Sequence, residues 1–311
     1  MLQCSGDMKI PSLLNILMCV LDVIFNFLLI FPTREISLLG LTFTMPGAGM
    51  GVRGAALGTG LAEALTTLLV LYFLVIRNKD LSLAGRKGSF IPRKECLAKA
   101  FGITGPLWVQ NLVMKGAYIA STMIVAPLGA VSIAANSFAI VAESFCYMPG
   151  YGMGDAATTL VGQSLGASRK PLAKSFSRIT IGLGMGMMVI LAAVMYILAT
   201  PIMALLSSDA QVVALGARCL RLEAFAEAGY AASIVAFGAC VGAGDTKIPT
   251  LLNLLSVWVV RIPLAIVLTP RYGLMGYWIA MFLELNIRGA LFLWRVSGTK
   301  WMDNKLLATD E

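Results

Sequence analysis

Long apolar runs alternate with short polar connections along the 311 residues of the chain. Eight of these runs are about 20 residues or longer, which is the length that a helix needs to cross about 30 Å of hydrocarbon. A transmembrane barrel would instead show alternating segments of about ten residues. The pattern therefore predicts an all-α polytopic membrane protein with spans at residues 11–32, 52–76, 100–127, 131–163, 175–200, 212–241, 249–269 and 273–295.

The composition supports a membrane protein and excludes several kinds of site. Hydrophobic residues make up 58% of the chain and charged residues 13%, whereas soluble domains carry about a quarter charged residues. The six cysteines have no CxxC spacing and histidine is absent, so zinc and iron–sulfur sites are poorly supported. No phosphate-binding GxxxxGK[ST] or GxSxG motif occurs. We therefore expect neither an enzyme nor a bound cofactor or metal, and transport would be driven by an ion gradient.

Lysine and arginine are concentrated on one side of the predicted membrane. The connections on that side, which include two GDxKIP turns and the C-terminus, carry sixteen basic residues, and those on the other side carry three. The positive-inside rule then places the C-terminus in the cytoplasm, with the chain in the cell inner (cytoplasmic) membrane. This asymmetry also accounts for the net charge of +8 without a nucleic-acid partner.

An internal repeat divides the chain unequally. The stretch SGDMKIPSLLN at 5–15 returns as AGDTKIPTLLN at 243–253, with eight of eleven residues identical. The polar stretch 77–99 is the predicted cytoplasmic linker, so that two spans (1–76) precede it, six spans (100–296) follow, and 297–311 form a cytoplasmic tail. A duplicated six-helix unit would thus lack its first four spans in this chain, and the parent architecture would have twelve helices in two parallel units.

Several ionisable residues lie at bilayer depth, where each costs about 2.5 to 3.5 kcal/mol and needs a partner, water or a function. They lie about 11 to 15 residues from a span end, which is about 16 to 23 Å along a helix. The layer near the midplane consists of Asp22, Glu63, Lys115, Glu143, Glu227, Arg261 and Glu284.

Lys115 and Glu143 arrive at the same depth on a predicted antiparallel hairpin. They could form an ion pair that only neutralises itself between two helices, or a protonatable pair that lines a cavity. Gln110 and Asn111 lie about one turn from Lys115 and would extend the polar surface. We therefore predict a coupling or substrate cavity at this hairpin, with Asp155 nearer the cytoplasmic end as a cap, a water-binding group or a further cavity residue.

Glu223 and Glu227 are four residues apart and share one helix face. Arg218 and Arg221 could pair with Glu223, which would leave Glu227 deeper and less satisfied. Glu227 is then either a residue that binds and releases the coupling proton or a member of a structural ion pair. For Asp22, Arg261 and Glu284 we expect structural roles between helices.

Three motifs resemble the multidrug and toxic compound extrusion (MATE) family. They are AANSFAIVAESFCYMPGYGMGDAATTLVGQSLGA at 134–167, GAGDTKIPTLLNLLSVWVVRIPLA at 242–265 and the GxxGAALGT stretch at 51–59. The resemblance covers nearly the whole chain. It implies a fold of twelve helices in two bundles, of which this chain would hold helices five to twelve, and an antiporter that exports organic, often cationic, compounds in exchange for protons or sodium.

The resemblance also defines what would be missing. Many bacterial members couple through an acidic residue on their first helix, which this chain lacks, and others use acidic residues on the seventh, eighth and tenth helices. Here the eighth would carry Glu143 and the tenth Glu227. The leading hypothesis is a truncated or partial efflux antiporter, or one completed by a second chain that supplies four helices. A lipid-linked saccharide flippase of related architecture, or a membrane fragment that does not transport, are the alternatives.

Overall fold

A computed structural model describes residues 9–38, 41–73, 75 and 94–302 of the chain. The chain divides into two compact units, Met1–Ile91 and Pro92–Glu311. Residues 77–93 of the predicted linker and residues 303–311 of the predicted tail lie outside the described residues. Each unit is therefore described by itself.

The first unit has two antiparallel helices joined by a β-hairpin. Helix α1 spans Lys9–Ile30 and helix α2 spans Val52–Tyr72, and the strands are β1 (Pro32–Leu38) and β2 (Leu41–Ala48). The strands are antiparallel, with a register irregularity between Pro32 and Arg34. Gly54 and Gly58 of α2 lie against the backbone of α1 and leave no room for a side chain, so the two helices approach closely. The hairpin was not predicted from the sequence.

The second unit consists of eight helices, described from Lys94 onward. A short 3-10 turn at Ala126–Leu128 separates α3 from α4, where Pro127 and Gly129 predicted a turn. The helices are α3 (Lys94–Val125), α4 (Ala130–Gly166), α5 (Lys170–Leu206), α6 (Ala210–Glu223), α7 (Glu227–Gly242), α8 (Lys247–Leu255), α9 (Ile262–Tyr272) and α10 (Leu274–Ser297).

The sixth predicted span, 212–241, is not one continuous helix. Helices α6 and α7 meet at an angle of 59°. Between them, the amides of Phe225 and Ala226 donate to the carbonyls of Leu222 and Glu223, three residues back. These tighter 3-10-type bonds replace the regular α-helical ladder and give the bend a local cause.

The seventh predicted span contains a π-helical turn. Residues Ser256–Arg261 form this turn between α8 and α9. A π turn inserts one extra residue into the helical ladder, so residues five apart come to lie on the same side. This geometry positions two polar side chains that are described below.

In the described part of the chain, six helices are long and apolar enough to cross a membrane, and a seventh span is added if the bent α6–α7 pair counts as one. The eighth predicted span corresponds to α10, which has 24 residues but carries Glu284, Arg288 and Arg295. The core of the second unit is built from small residues: a Cβ at Gly238 of α7 would overlap the Gly154 carbonyl of α4. After α10 the chain folds back, and the indole of the fully buried Trp301 donates to the carbonyls of Val296 and Gly298.

Candidate functional site

Three neighbouring cavities lie inside the second unit. Their volumes are about 310, 60 and 140 Å³, and we call them the first, middle and inner cavities. Tyr151 of α4 and Tyr230 of α7 line all three. The cavities are therefore adjacent, and these two tyrosines stand where they meet.

The first cavity is polar on one side and apolar on the other. Asp155 of α4 and Arg288 of α10 supply opposite charges, and Gln110 and Asn253 supply amides. The Thr250 hydroxyl donates to Gln110 Oε1 at 2.9 Å, which links α8 to α3 and fixes that amide at the wall. The remaining lining residues include Met114, Thr158, Ser233, Ile234, Phe237 and Val241.

The inner cavity contains Glu143. This residue is buried in α4 and lines the cavity together with Arg261, Asn136 and Tyr277. Asn136 is held by the Trp278 indole, which donates to its Oδ1 at 3.1 Å. The Glu143 carboxylate thus lines a cavity that the Arg261 guanidinium also lines.

A cluster of tyrosines separates the first cavity from the inner cavity. The Tyr147 ring lies edge to face with Tyr151 and Tyr230 at 5.9 and 5.6 Å, and the hydroxyls of Tyr151 and Tyr230 are 3.4 Å apart. The Arg288 guanidinium lies over the Tyr230 ring at 5.4 Å from its centroid. Aromatic faces of this kind attract cations, so the cluster suits a cationic solute as well as the internal arginine.

Arg261 and Glu284 form the main ion pair of the second unit. Arg261 donates to Glu284 Oε2 from Nη2 at 2.6 Å and from Nε at 3.0 Å, and Arg288 lies 3.1 Å from Oε1 of the same carboxylate. The Ser256 hydroxyl also donates to Glu284. Ser256 and Arg261 are five residues apart, and the π turn is what allows both to reach one carboxylate from the same segment. This geometry joins the α8–α9 segment to α10, as expected for a structural pair.

Glu223 and Glu227 flank the α6–α7 bend and are fully buried. Within the described residues, neither carboxylate has a hydrogen-bond partner. The expected pairing of Glu223 with Arg221 is wrong, because Arg221 instead donates to the Thr200 hydroxyl at 3.2 Å. Neither glutamate lines any of the three cavities. Glu227 is thus unsatisfied, as the sequence suggested, and it does not line the inner cavity, although it lies close enough to Glu143 for the two charges to interact.

Lys115 and Asn111 lie away from the site. Lys115 is exposed and its amine lies 5.9 Å from the Tyr118 ring centroid, and no ion pair joins it to Glu143. The Asn111 amide donates to the Leu107 carbonyl of its own helix at 3.0 Å. Neither residue lines any of the three cavities. Asp22, in the first unit, accepts a hydrogen bond from Asn26 of the same helix at 3.0 Å.

Tyr151, Tyr230 and Asn253 are cavity residues that the sequence analysis missed. For Tyr151 a signal was present, because Glu143, Tyr147, Tyr151 and Asp155 recur at intervals of four along α4. This spacing places all four on one helix face. The structure shows that face to be the wall of the cavities.

Comparisons with known proteins agree on one family. A model of the MatE family matches residues 106–267. The probable multidrug resistance protein NorM of Thermotoga maritima is 25% identical, with 100% of this chain and 64% of that protein covered. The NorM protein of Mannheimia succiniciproducens is 27% identical, with 89% and 64% covered.

Solved structures show the same architecture. A mutant of the Vibrio cholerae MATE transporter VcmN superposes with a TM-score of 0.83 at 19% identity, covering 98% of this chain and 65% of that one. An outward-facing multidrug resistance MATE family transporter gives 0.81 at 21% identity, covering 95% and 64%. The predicted all-α polytopic fold is confirmed. The chain spans about 64% of the length of the curated relatives that it matches.

Proposed function

Because this chain belongs to the MATE family, we propose that it acts as an efflux antiporter that exchanges organic, often cationic, compounds for protons or sodium ions. Members of this family are multi-pass membrane transporters and not enzymes, and the NorM relatives are named as probable multidrug resistance proteins. The substrate would be a small organic molecule. The membrane would be the inner (cytoplasmic) one, with the C-terminus in the cytoplasm.

The observation that carries the coupling role is the position of Glu143. Its buried carboxylate lines the inner cavity with five tyrosines, and the charge of Arg261 acts on it without a direct ion pair. A carboxylate that is buried but not locked in an ion pair can change its protonation or bind a cation as the cavity fills or empties. Glu284 differs, because two arginines hold it in the charged form.

The first cavity would receive the organic solute. Its apolar wall, with Met114, Ile234 and Phe237, can adapt to varied shapes, and Asp155 supplies a negative charge for a cationic group. Glu227 remains a second candidate for coupling, because its carboxylate is buried without a partner.

Transport by this chain in liposomes tests the proposal. The purified chain is reconstituted, a proton or sodium gradient is imposed, and the movement of a fluorescent organic cation such as ethidium is followed. We expect gradient-driven movement with the unmodified chain and its loss in Glu143→Gln, because the amide can neither titrate nor carry charge. Glu63→Gln, which removes an exposed carboxylate from α2, serves as the matched control and should transport normally.

Two results would contradict the proposal in different ways. Undiminished exchange in Glu143→Gln would reject the coupling role of this residue. No movement by the unmodified, correctly folded chain under either gradient would reject transport by this chain alone.

A further inference from the structure

Helix α5 carries two basic side chains that form no ion pair with any acidic residue in the described part of the chain. Lys174 and Arg178 lie four residues apart, one turn of helix, and Arg178 is exposed. Neither forms an ion pair within the described residues. The sequence contains no aspartate or glutamate from residue 156 to residue 208, so this part of the surface is positively charged.

The same edge of α5 continues as an apolar surface. At about 100° per residue, Val189 and Tyr196 lie within about 20° of Arg178 around the helix, and Ala192 lies on the line of Lys174. Between the basic and the apolar parts, Gly182 lies about 40° and Gly186 about 80° from Arg178 around the helix, and a Cβ at either position would meet nothing within 4 Å. The two glycines therefore leave a strip of α5 without side chains, beside Met185, which lies within about 20° of the line of Arg178.

An apolar groove of about 460 Å³ lies at the far end of this edge. The α5 side is formed by Val189, Ala193 and Tyr196, and the α6–α7 bend contributes Ala224 and Phe225. The Phe225 side chain is 66% exposed, and its ring packs edge to face on Tyr196 at 5.7 Å. The groove is open and bordered almost entirely by hydrocarbon and aromatic groups.

The spacing of the two parts matches one leaflet of a bilayer. Arg178 and Val189 are eleven residues apart, which is about 16 Å along the helix. Half of a hydrocarbon core of about 30 Å is about 15 Å. An amphiphile whose polar head is held by Lys174 and Arg178 at the membrane surface would thus have the end of its apolar chain at the mouth of the groove.

We propose that this edge of α5 binds an anionic glycerophospholipid, with its phosphate on Lys174 and Arg178, one acyl chain along Gly182 and Gly186, and the chain end at Val189. The charge specifies the headgroup, since basic residues at a membrane surface attract anionic lipids. The glycines and the groove specify the tail, because burial of methylene groups there is favourable. This site is independent of Glu143 and of transport.

Lipid binding to the purified full chain tests the proposal. Phosphatidylglycerol with 16-carbon chains is titrated into the detergent-solubilised protein, and bound lipid is counted by native mass spectrometry. We expect the double variant Lys174→Gln/Arg178→Gln to bind about thirtyfold more weakly than the unmodified chain. The control Lys247→Gln/Lys300→Gln removes the same charge from two other exposed positions and should bind as the unmodified chain does.

Further ligands separate the headgroup from the tail. Phosphatidylcholine of the same chain length, six-carbon phosphatidylglycerol and inorganic phosphate should each bind much more weakly. Gly186→Leu should weaken binding of the long-chain lipid while leaving the short-chain lipid unaffected. Equal loss in both double variants would mean a diffuse charge effect, and equal affinity for long and short chains would mean a headgroup site only; either result overturns the proposal.

Discussion

Glu284 holds two guanidinium groups in the interior of the second unit. Its carboxylate is fully buried, and Arg261 and Arg288 approach it from two different segments. Removing one partner of such a group leaves buried charge without compensation, which costs more than the pair itself contributes. The stability of the unit therefore depends on this carboxylate.

Glu284→Gln should lower the free energy of unfolding by about 3 to 5 kcal/mol, because the amide preserves shape but leaves both arginines without a counter-ion. Thermal or denaturant unfolding in detergent measures this change. The control is Lys247→Gln, whose exposed position outside the midplane layer predicts a change within about 0.5 kcal/mol. Equal stability of the two variants would show that Glu284 is not a structural residue.

The spacing of residues along a helix predicts the height of a side chain in the membrane, but not the direction in which that side chain points. Lys115 and Glu143 are predicted at the same height, yet Lys115 is exposed and lines none of the three cavities, whereas Glu143 lines the inner one. Height along a helix follows from the rise per residue, but the direction of a side chain relative to a second helix depends on packing that spacing does not encode. Gln110, Glu143 and Asp155 were identified as cavity residues because hydrophobic depth makes their polarity conspicuous.

Helices α4 and α7 pack at backbone contact through glycine. Gly154 and Gly238 face each other, and the Thr158 hydroxyl donates to the Gly154 and Gly238 carbonyls at 2.9 and 2.8 Å. Gly242 meets the backbone of Thr158 in the same way one turn later. Small residues of this kind let two helices approach closely, and here they fix the distance between Tyr151 and Tyr230.

Gly238→Ala should destabilise the second unit by about 1 to 3 kcal/mol, because the new methyl group would overlap the Gly154 carbonyl and push the helices apart. Gly152→Ala on α4 is the matched control, since a Cβ there meets nothing within 4 Å. Thermal unfolding of both variants in detergent provides the comparison. Equal stability of Gly238→Ala and Gly152→Ala would show that α4 and α7 do not make a backbone contact at Gly238.

Two elements escaped prediction for different physical reasons. The α6–α7 bend falls in an alanine-rich stretch, LEAFAEAG, where Gly229 is the first glycine and no proline marks a break. The bend forms through the 3-10-type bonds of Phe225 and Ala226, and no residue type in this stretch indicates that the regular helical bonds are interrupted there. The hairpin at 32–48 does have a signal, because TREISL and LTFTM alternate in the manner of strands, but two such short runs are a weak pattern beside the long apolar spans.

At the scale of the whole molecule, the asymmetry of charge predicts the direction in which each helix crosses the membrane. The turn at Ala167–Arg169 and the turn at Ser207–Asp209 lie at opposite ends of α5, whose 37 residues are long enough to cross a bilayer. The first of these turns lies on the side with sixteen basic residues. We expect it to face the cytoplasm.

Ser168→Cys and Ser208→Cys test this orientation. In a variant of the chain without its six native cysteines, a thiol reagent that does not cross membranes should label Ser208→Cys in intact cells and Ser168→Cys only in inverted vesicles. Labelling of both from the same side would contradict the membrane crossing by α5. Labelling in the reverse order would invert the orientation of the whole chain.

The class of fold and most of the spans were predictable from the sequence, since twenty-residue apolar runs admit few other structures. The arrangement of the cavities was not predictable in the same way. Tyr230 of α7 and Asn253 of α8 reach the wall shared with Tyr151 only through the packing of α4, α7 and α8. The separation of these residues along the chain does not indicate that they line the same wall.

The π turn at Ser256–Arg261 shows how far the two copies of the duplicated sequence have diverged. Counted 238 residues back, the positions of Ser256 and Arg261 are Met18 and Val23, and α1 runs through them as a regular helix. A chimera with the α1 sequence in place of residues 247–268 would keep its length and its apolar character. It would still remove every contact that this segment makes with Glu284, so the two copies, once interchangeable, can no longer substitute for each other.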